Sequence, residues 1–124
     1  KESYRMPGPD GTGVMHAEIA IGDSKIFLAE ECPWGSSKSP ATLGGTATII
    51  HLYVPDTDAG FAQAVAAEAK VVMPPTDMFW GDRYSQVTDP FGYIWSLATH
   101  IEDLSPEEMG KRAAAAFAET ASAQ

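Results

Sequence analysis

The stretch from Trp80 to Ser96 constrains the fold more than any other part of the chain. It reads Trp-Gly-Asp-Arg-Tyr-Ser-Gln-Val-Thr-Asp-Pro-Phe-Gly-Tyr-Ile-Trp-Ser, a polar and aromatic strand, a turn at Asp89-Pro90-Phe91-Gly92, and a returning strand that continues to Thr99. Asp at the first turn position can accept from backbone N–H groups ahead of it, Pro at the second fixes φ, and Gly at the fourth suits the exit. A hairpin of this kind is not stable alone. It requires further strands beside it and a helix behind it.

The residues before the hairpin supply both. Thr46 to Val54 is β-branched and aromatic in the manner of a half-buried strand. Pro55-Asp56-Thr57-Asp58 ends it and offers helix caps, and Ala59 to Ala67 carries Phe61, Val65 and alanines on one apolar stripe. Lys70 to Met73 reads as a strand halted by Pro74-Pro75. Residues 46–100 therefore predict one βαβββ module. Ser105-Pro106-Glu107-Glu108 then opens an Ala-rich terminal helix, placed within residues 105–120, with a stripe of Met109, Ala113 and Phe117.

Upstream, Glu2 to Met6 is a short extended segment ended by Pro7-Gly8-Pro9-Asp10-Gly11. From Val14 to Ile21 the chain alternates, with Met15, Ala17, Ile19 and Ile21 on one face and Val14, His16, Glu18 and Ala20 on the other. Gly22-Asp23 turns it into a partner strand from Ser24 to Ala29. Residues 31–45, rich in Pro, Gly and Ser, read as a linker. Residues 1–30 thus look like the end of a second module without its initial strand and helix, and the whole of 1–124 is expected to be one α+β domain.

Seventeen acidic against eight basic side chains give a net charge of -9. Without a basic cluster, neither nucleic acid nor an anionic membrane surface is an expected partner, whereas a cationic small ligand would be attracted. The single Cys32 stands beside Glu30 and Glu31, which raise rather than lower a thiol pKa, so no disulfide or thiolate chemistry is expected from it. No apolar run spans a bilayer and no leader pattern opens the chain, so the expectation is a cytoplasmic protein. Lys1 in place of Met predicts a fragment boundary there.

Asp56-Thr57-Asp58, the run from Ala69 to Pro75, the run from Trp80 to Trp95, and Met15-His16-Ala17-Glu18-Ile19 followed by Ile21-Gly22-Asp23-Ser24 together resemble the PhnB-like branch of the glyoxalase/bleomycin-resistance/extradiol-dioxygenase superfamily, the vicinal oxygen chelate proteins. The resemblance implies paired βαβββ modules curled around a small-molecule cavity, usually in a dimer. In the family's enzymes it also implies a divalent metal held by a His or Glu from the first strand and a Glu from the last strand of each module. Here the second-module His position falls near Ile49, the Glu position falls on Ser96, and Phe27 or Leu28 stands at the end of the first module. None of these replaces an imidazole or carboxylate in a coordination shell. Glu68 stands where the resemblance implies a Gly at the helix end, and Ser85 where it implies a Gly in the strand; a side chain held at positive φ at position 68 would cost roughly 1 kcal/mol.

Together with the resemblance, the residues lead us to expect a small-molecule-binding protein of the glyoxalase/bleomycin-resistance type without a metal or other cofactor, acting as a homodimer whose partner chains cover open sheet edges. Its ligand would lie among His16, Glu18, His51, Tyr53, Trp80, Arg83, Tyr84 and Ser96. Two alternatives stand beside it: a metal-dependent lyase, isomerase or dioxygenase using His16, Glu18 and His51 as a facial triad, and a non-catalytic interaction module. Arg83 either grips a ligand with Trp80 or pairs with Asp82 or Asp89. Trp95, in phase with Leu97, is expected on the helix side.

Overall fold

The computed structural model describes residues 1–123 and divides the chain into two compact units, the first spanning Lys1–Lys38 and the second beginning at Ser39. The first unit is a three-stranded antiparallel sheet of β1 (Glu2–Met6), β2 (His16–Ile21) and β3 (Ser24–Leu28), with β2 in the middle. The register pairs Ala17 with Leu28 and Glu18 with Phe27, so the alternation read from the sequence holds. Ala17 is the one buried apolar side chain described in this unit.

The second unit contains a short helix α1 (Pro40–Leu43), β4 (Ile49–Tyr53), helix α2 (Thr57–Ala66), β5 (Lys70–Asp77), β6 (Asp82–Thr88), β7 (Ile94–His100) and helix α3 (Pro106–Ser122). Its four strands lie in the order β4-β7-β6-β5, with β4 parallel to β7 and the rest antiparallel. This is the α+β architecture expected, with a sheet in each unit and an appended C-terminal helix.

Helix α2 packs on β5, β6 and β7. Asp56 caps it by accepting from the Ala59 amide. The buried Thr57 ties it down: its amide donates to Thr99 Oγ1 at 2.9 Å, its hydroxyl donates to the Arg83 carbonyl at 3.1 Å, and Thr99 Oγ1 donates to the Val54 carbonyl at 2.9 Å. Gly60 allows close approach, since a Cβ there would stand 3.3 Å from Leu97 Cδ1. Under the helix lie Ser85, Val87 and Leu97, all buried, while Ser96 and Ala98, of opposite parity, are buried within the other face of the sheet.

The turn that anchored the sequence reading forms as expected. Asp89 Oδ1 accepts from the amides of Phe91 and Tyr93 at 2.9 and 3.0 Å, and Oδ2 accepts from Trp95 Nε1 at 2.9 Å. Gly92 adopts φ 92°, and any Cβ there would meet Pro40 Cβ at 2.9 Å.

Several boundaries differ from the sequence expectation. Strand β5 does not stop at Pro74-Pro75 but passes through both to Asp77. It is an edge strand, and its register shifts between Met73 and Thr76, the situation in which a residue without an N–H is tolerated. The linker contains α1, capped by Ser39 with Pro40 in its first turn. β4 starts at Ile49 rather than Thr46, and α3 runs from Pro106 to Ser122. No helix among the described residues is long and apolar enough to cross a membrane.

Candidate functional site

In the second unit the face of the sheet away from α2 carries the chemistry. Strand pairing sets His51 opposite Ser96, Tyr53 and Tyr84 each opposite Ala98, and Asp82 opposite His100, so these side chains emerge on one side. His51 Nδ1 lies 2.6 Å from Ser96 Oγ. Its ring stands edge-on to Tyr53 at 5.0 Å and stacks on Tyr84 at 6.2 Å with 20° between planes; Trp80 meets Tyr84 edge-on at 5.6 Å. Tyr53, His51, Tyr84 and Trp80 therefore form a continuous aromatic row.

Asp82 joins the two ends of that row, Tyr53 and Trp80, and is 4% exposed. Oδ2 accepts from the Tyr53 hydroxyl at 2.9 Å and from Trp80 Nε1 at 3.1 Å, while Oδ1 lies 3.1 Å from His100 Nδ1. Burial pushes its pKa up, but the His100, Tyr53 and Trp80 hydrogen bonds outweigh burial and hold the carboxyl below the ordinary carboxylate value. The same carboxylate raises the Tyr53 phenol above its usual value, chiefly through their hydrogen bond. Gly81, at φ 94°, sets the entry to β6: a Cβ there would collide with the Glu102 carbonyl at 2.4 Å.

Arg83 has the opposite parity and leaves this face. Its guanidinium pairs with Asp58 through Nε and Nη2 and with Asp77 through Nη1 at 2.8 Å. The hydrogen bonds from Asp58 and Asp77 raise its pKa further. Its partners are thus neither Asp82 nor Asp89, the two that the sequence suggested. Trp95 shares the parity of Leu97 and Thr99, on the helix side.

In the first unit His16 and Glu18 share a face of β2, with His16 Nε2 3.5 Å from Glu18 Oε1. Glu18 also accepts from Lys25 Nζ at 2.9 Å, and that bond is the main reason its pKa is lowered. Tyr4 and Phe27 bracket the His16 ring at 6.2 and 5.1 Å.

The donor set does not fit the metal that the resemblance implies. On the second sheet the positions offer one imidazole, a neutral hydroxyl at Ser96, the apolar Ile49, and an Asp82 carboxylate already filled by three donors. Among the described residues no group of three His, Cys, Asp or Glu side chains is placed to hold a metal ion. His100 was not singled out from the sequence, and Asp82 only as a partner for Arg83, although the turn that fixes the β6–β7 register also sets the two opposite one another. The second unit has a concavity between α1 and Pro90–Gly92, not lined by the aromatic row, and the first unit has one lined by Met15, Glu30, Cys32 and Trp34.

Residues 1–97 match the family model of the glyoxalase/bleomycin resistance protein/dioxygenase superfamily. The chain belongs to this superfamily. It is 43% identical over 111 residues to uncharacterized proteins of Mycobacterium bovis and Mycobacterium tuberculosis, which covers 87% of this chain and 72% and 65% of theirs, so it spans about two thirds of the longer relatives. Among solved structures, TioX from Micromonospora sp. ML1 is 29% identical with a TM-score of 0.62, over 82% of this chain and 79% of that one. The PhnB protein from Bacillus cereus shares the fold at 13% identity, with a TM-score of 0.59 over 80% of this chain and 78% of that one.

Proposed function

We propose that this superfamily member binds a small planar organic cation on the aromatic row of its second sheet, without a protein-held metal. The observation that carries the reading is the row itself: the rings of Tyr53, His51, Tyr84 and Trp80 lie side by side on one sheet face, joined at its ends by the buried, ionised Asp82. Ring faces attract cations, and a carboxylate hydrogen-bonded to two of the ring side chains adds to that attraction. The chain's net charge of -9 acts in the same direction at longer range. Because Tyr53 and Trp80 donate to Asp82, their rings are held in place before a ligand arrives.

A sequestering role suits this chemistry better than catalysis, since the hydroxyl that is paired with an imidazole, Ser96 with His51, is 1% exposed and so closed to a substrate. The proposal includes the homodimer and the cytoplasmic location expected from the sequence. Thermal-shift screening of planar cations against neutral isosteres, with and without added divalent metals, tests the binding. Cations should raise the Tm without metal, and Tyr53→Ala and Tyr84→Ala should each weaken the effect. Stoichiometric metal in protein purified without chelator, lost in His51→Ala, would overturn the metal-free part and favour an enzyme. A stable monomer by light scattering at micromolar concentration would remove the dimer.

A further inference from the structure

His51 has one ring nitrogen that the protein engages and one that it leaves available. Nδ1 is 2.6 Å from Ser96 Oγ, and no partner for Nε2 lies among the described residues. Ser96 is 1% exposed, and His51 is the hydrogen-bond partner of its hydroxyl. A neutral imidazole carries one N–H and one lone pair. If Nδ1 carried the hydrogen, it would donate to Ser96, and the Ser96 O–H would be buried with no acceptor. With Nδ1 bare, Ser96 donates to it and no buried hydrogen is stranded, which is the cheaper arrangement.

We infer that Ser96 is a positioning residue that holds His51 as its Nε2–H tautomer, so that the aromatic row offers a hydrogen-bond donor and selects planar ligands bearing a carbonyl or carboxamide oxygen. The ligand half of this inference rests on the binding face proposed above. Tyr53 and Trp80 have already given their hydrogens to Asp82, so neither duplicates the donor that His51 presents. The stacked Tyr84 and edge-on Tyr53 rings fix the imidazole plane, and with it the line along which an acceptor must approach Nε2. An Nε2 that bears hydrogen has no lone pair for a metal. The serine at the position where the resemblance implies a carboxylate thus also leaves the neighbouring imidazole a donor rather than a metal ligand.

The tautomer is read directly from long-range 1H–15N correlation spectra of labelled protein at a pH where the imidazoles are neutral. The chain has three histidines, so His51→Gln assigns the signals. Nδ1 should show the shift of a bare ring nitrogen and Nε2 that of a protonated one. Ser96→Ala should raise the share of the other tautomer about fivefold, and Ser96→Thr, which keeps the hydroxyl, should restore the native spectrum. Amide spectra establish that each variant is folded. A protonated Nδ1 in the native protein, or tautomer populations unchanged in Ser96→Ala, overturns the role of Ser96.

Selection is tested with two planar cations of one ring each, 1-methylnicotinamide with a carboxamide and 1-methylpyridinium without. The first should bind about fivefold more tightly by NMR titration, and His51→Phe should abolish that advantage while retaining a ring to stack on. Equal affinities in the native protein overturn the acceptor step and leave the cation reading standing. Binding of neither cation overturns the cation reading and the acceptor step together, whereas the role of Ser96 stands or falls on the ring spectra alone.

Discussion

Two histidines, one on each sheet, stand in nearly matching surroundings and differ in what holds them. His16 has the rings of Tyr4 and Phe27 at 6.2 and 5.1 Å, and His51 has those of Tyr53 and Tyr84 at 5.0 and 6.2 Å. The polar partner of His16 is Glu18 on its own strand, at 3.5 Å, shared with the exposed Lys25. The partner of His51 is Ser96 on a neighbouring strand, at 2.6 Å and buried. Strand alternation alone brings an imidazole between two rings. Fixing where its hydrogen sits takes a partner removed from water, and in the second unit Ser96 is such a partner, on β7 between β4 and β6.

The largest expected effect breaks that comparison at its carboxylates. Asp82→Ala removes a buried acceptor that serves Tyr53, Trp80 and His100 and should cost about 3 kcal/mol in urea unfolding, because three donors lose their partner at once. Glu18→Ala, which breaks the ion pair of a half-buried carboxylate with the exposed Lys25, should cost less than about 1 kcal/mol. Equal losses in the two variants would show that the first sheet is held as firmly as the second.

Next come two substitutions that sharpen the account of the packed unit. Glu68 sits at φ 71° just after α2, a conformation in which a Cβ is strained. Glu68→Gly should stabilise by about 1 kcal/mol, read as an increase in urea midpoint with unchanged slope. Ser85 is fully buried on the helix side of β6, and its Oγ has no hydrogen-bond partner among the described residues. Ser85→Ala should therefore be neutral or stabilising by up to about 1 kcal/mol. A loss of more than that would mean that the hydroxyl has a partner in solution.

The sequence made the hairpin legible because Asp89, Pro90 and Gly92 each act locally, through an amide acceptor, a fixed φ and a left-handed exit. The alternation in β2 and the cap of α2 were readable for the same reason. Pro74-Pro75 misled because a proline stops a central strand but not an edge strand, and strand order is not local information. The short helix at Pro40 was hidden inside a Pro- and Ser-rich stretch that fits a loop equally well. Of the candidate site residues, His51, Tyr53, Trp80, Tyr84 and Ser96 share one face, whereas Arg83 turns to Asp58 and Asp77. Asp58 lies on a helix, so that pairing depends on how α2 docks. The Asp82–His100 pair was within reach: counting outward from the turn in equal steps from Thr88 and Ile94 leads to these two residues.

That pair carries the smallest effect and gives the second sheet a pH dependence of its own. His100 Nδ1 lies 3.1 Å from Asp82 Oδ1 and Nε2 lies 2.7 Å from Asp103 Oδ1, so the imidazole can donate to both carboxylates only when it is protonated. The Asp103 hydrogen bond, followed by that of Asp82, raises the His100 pKa above its ordinary value of 6.5. A raised folded-state value contributes stability that is complete below 6.5 and is lost as pH rises through that higher value. Asp82 works from the other side: its depressed value contributes stability present above 3.8 that is lost as pH falls through the folded value. The ion pair is therefore complete between these limits, and urea midpoints should fall as pH is raised from 6.5 through the folded His100 value. His100→Gln should flatten that fall, while His16→Gln, on the first sheet, should leave it in place. A slope that survives in His100→Gln would assign the pH dependence to a group other than this imidazole.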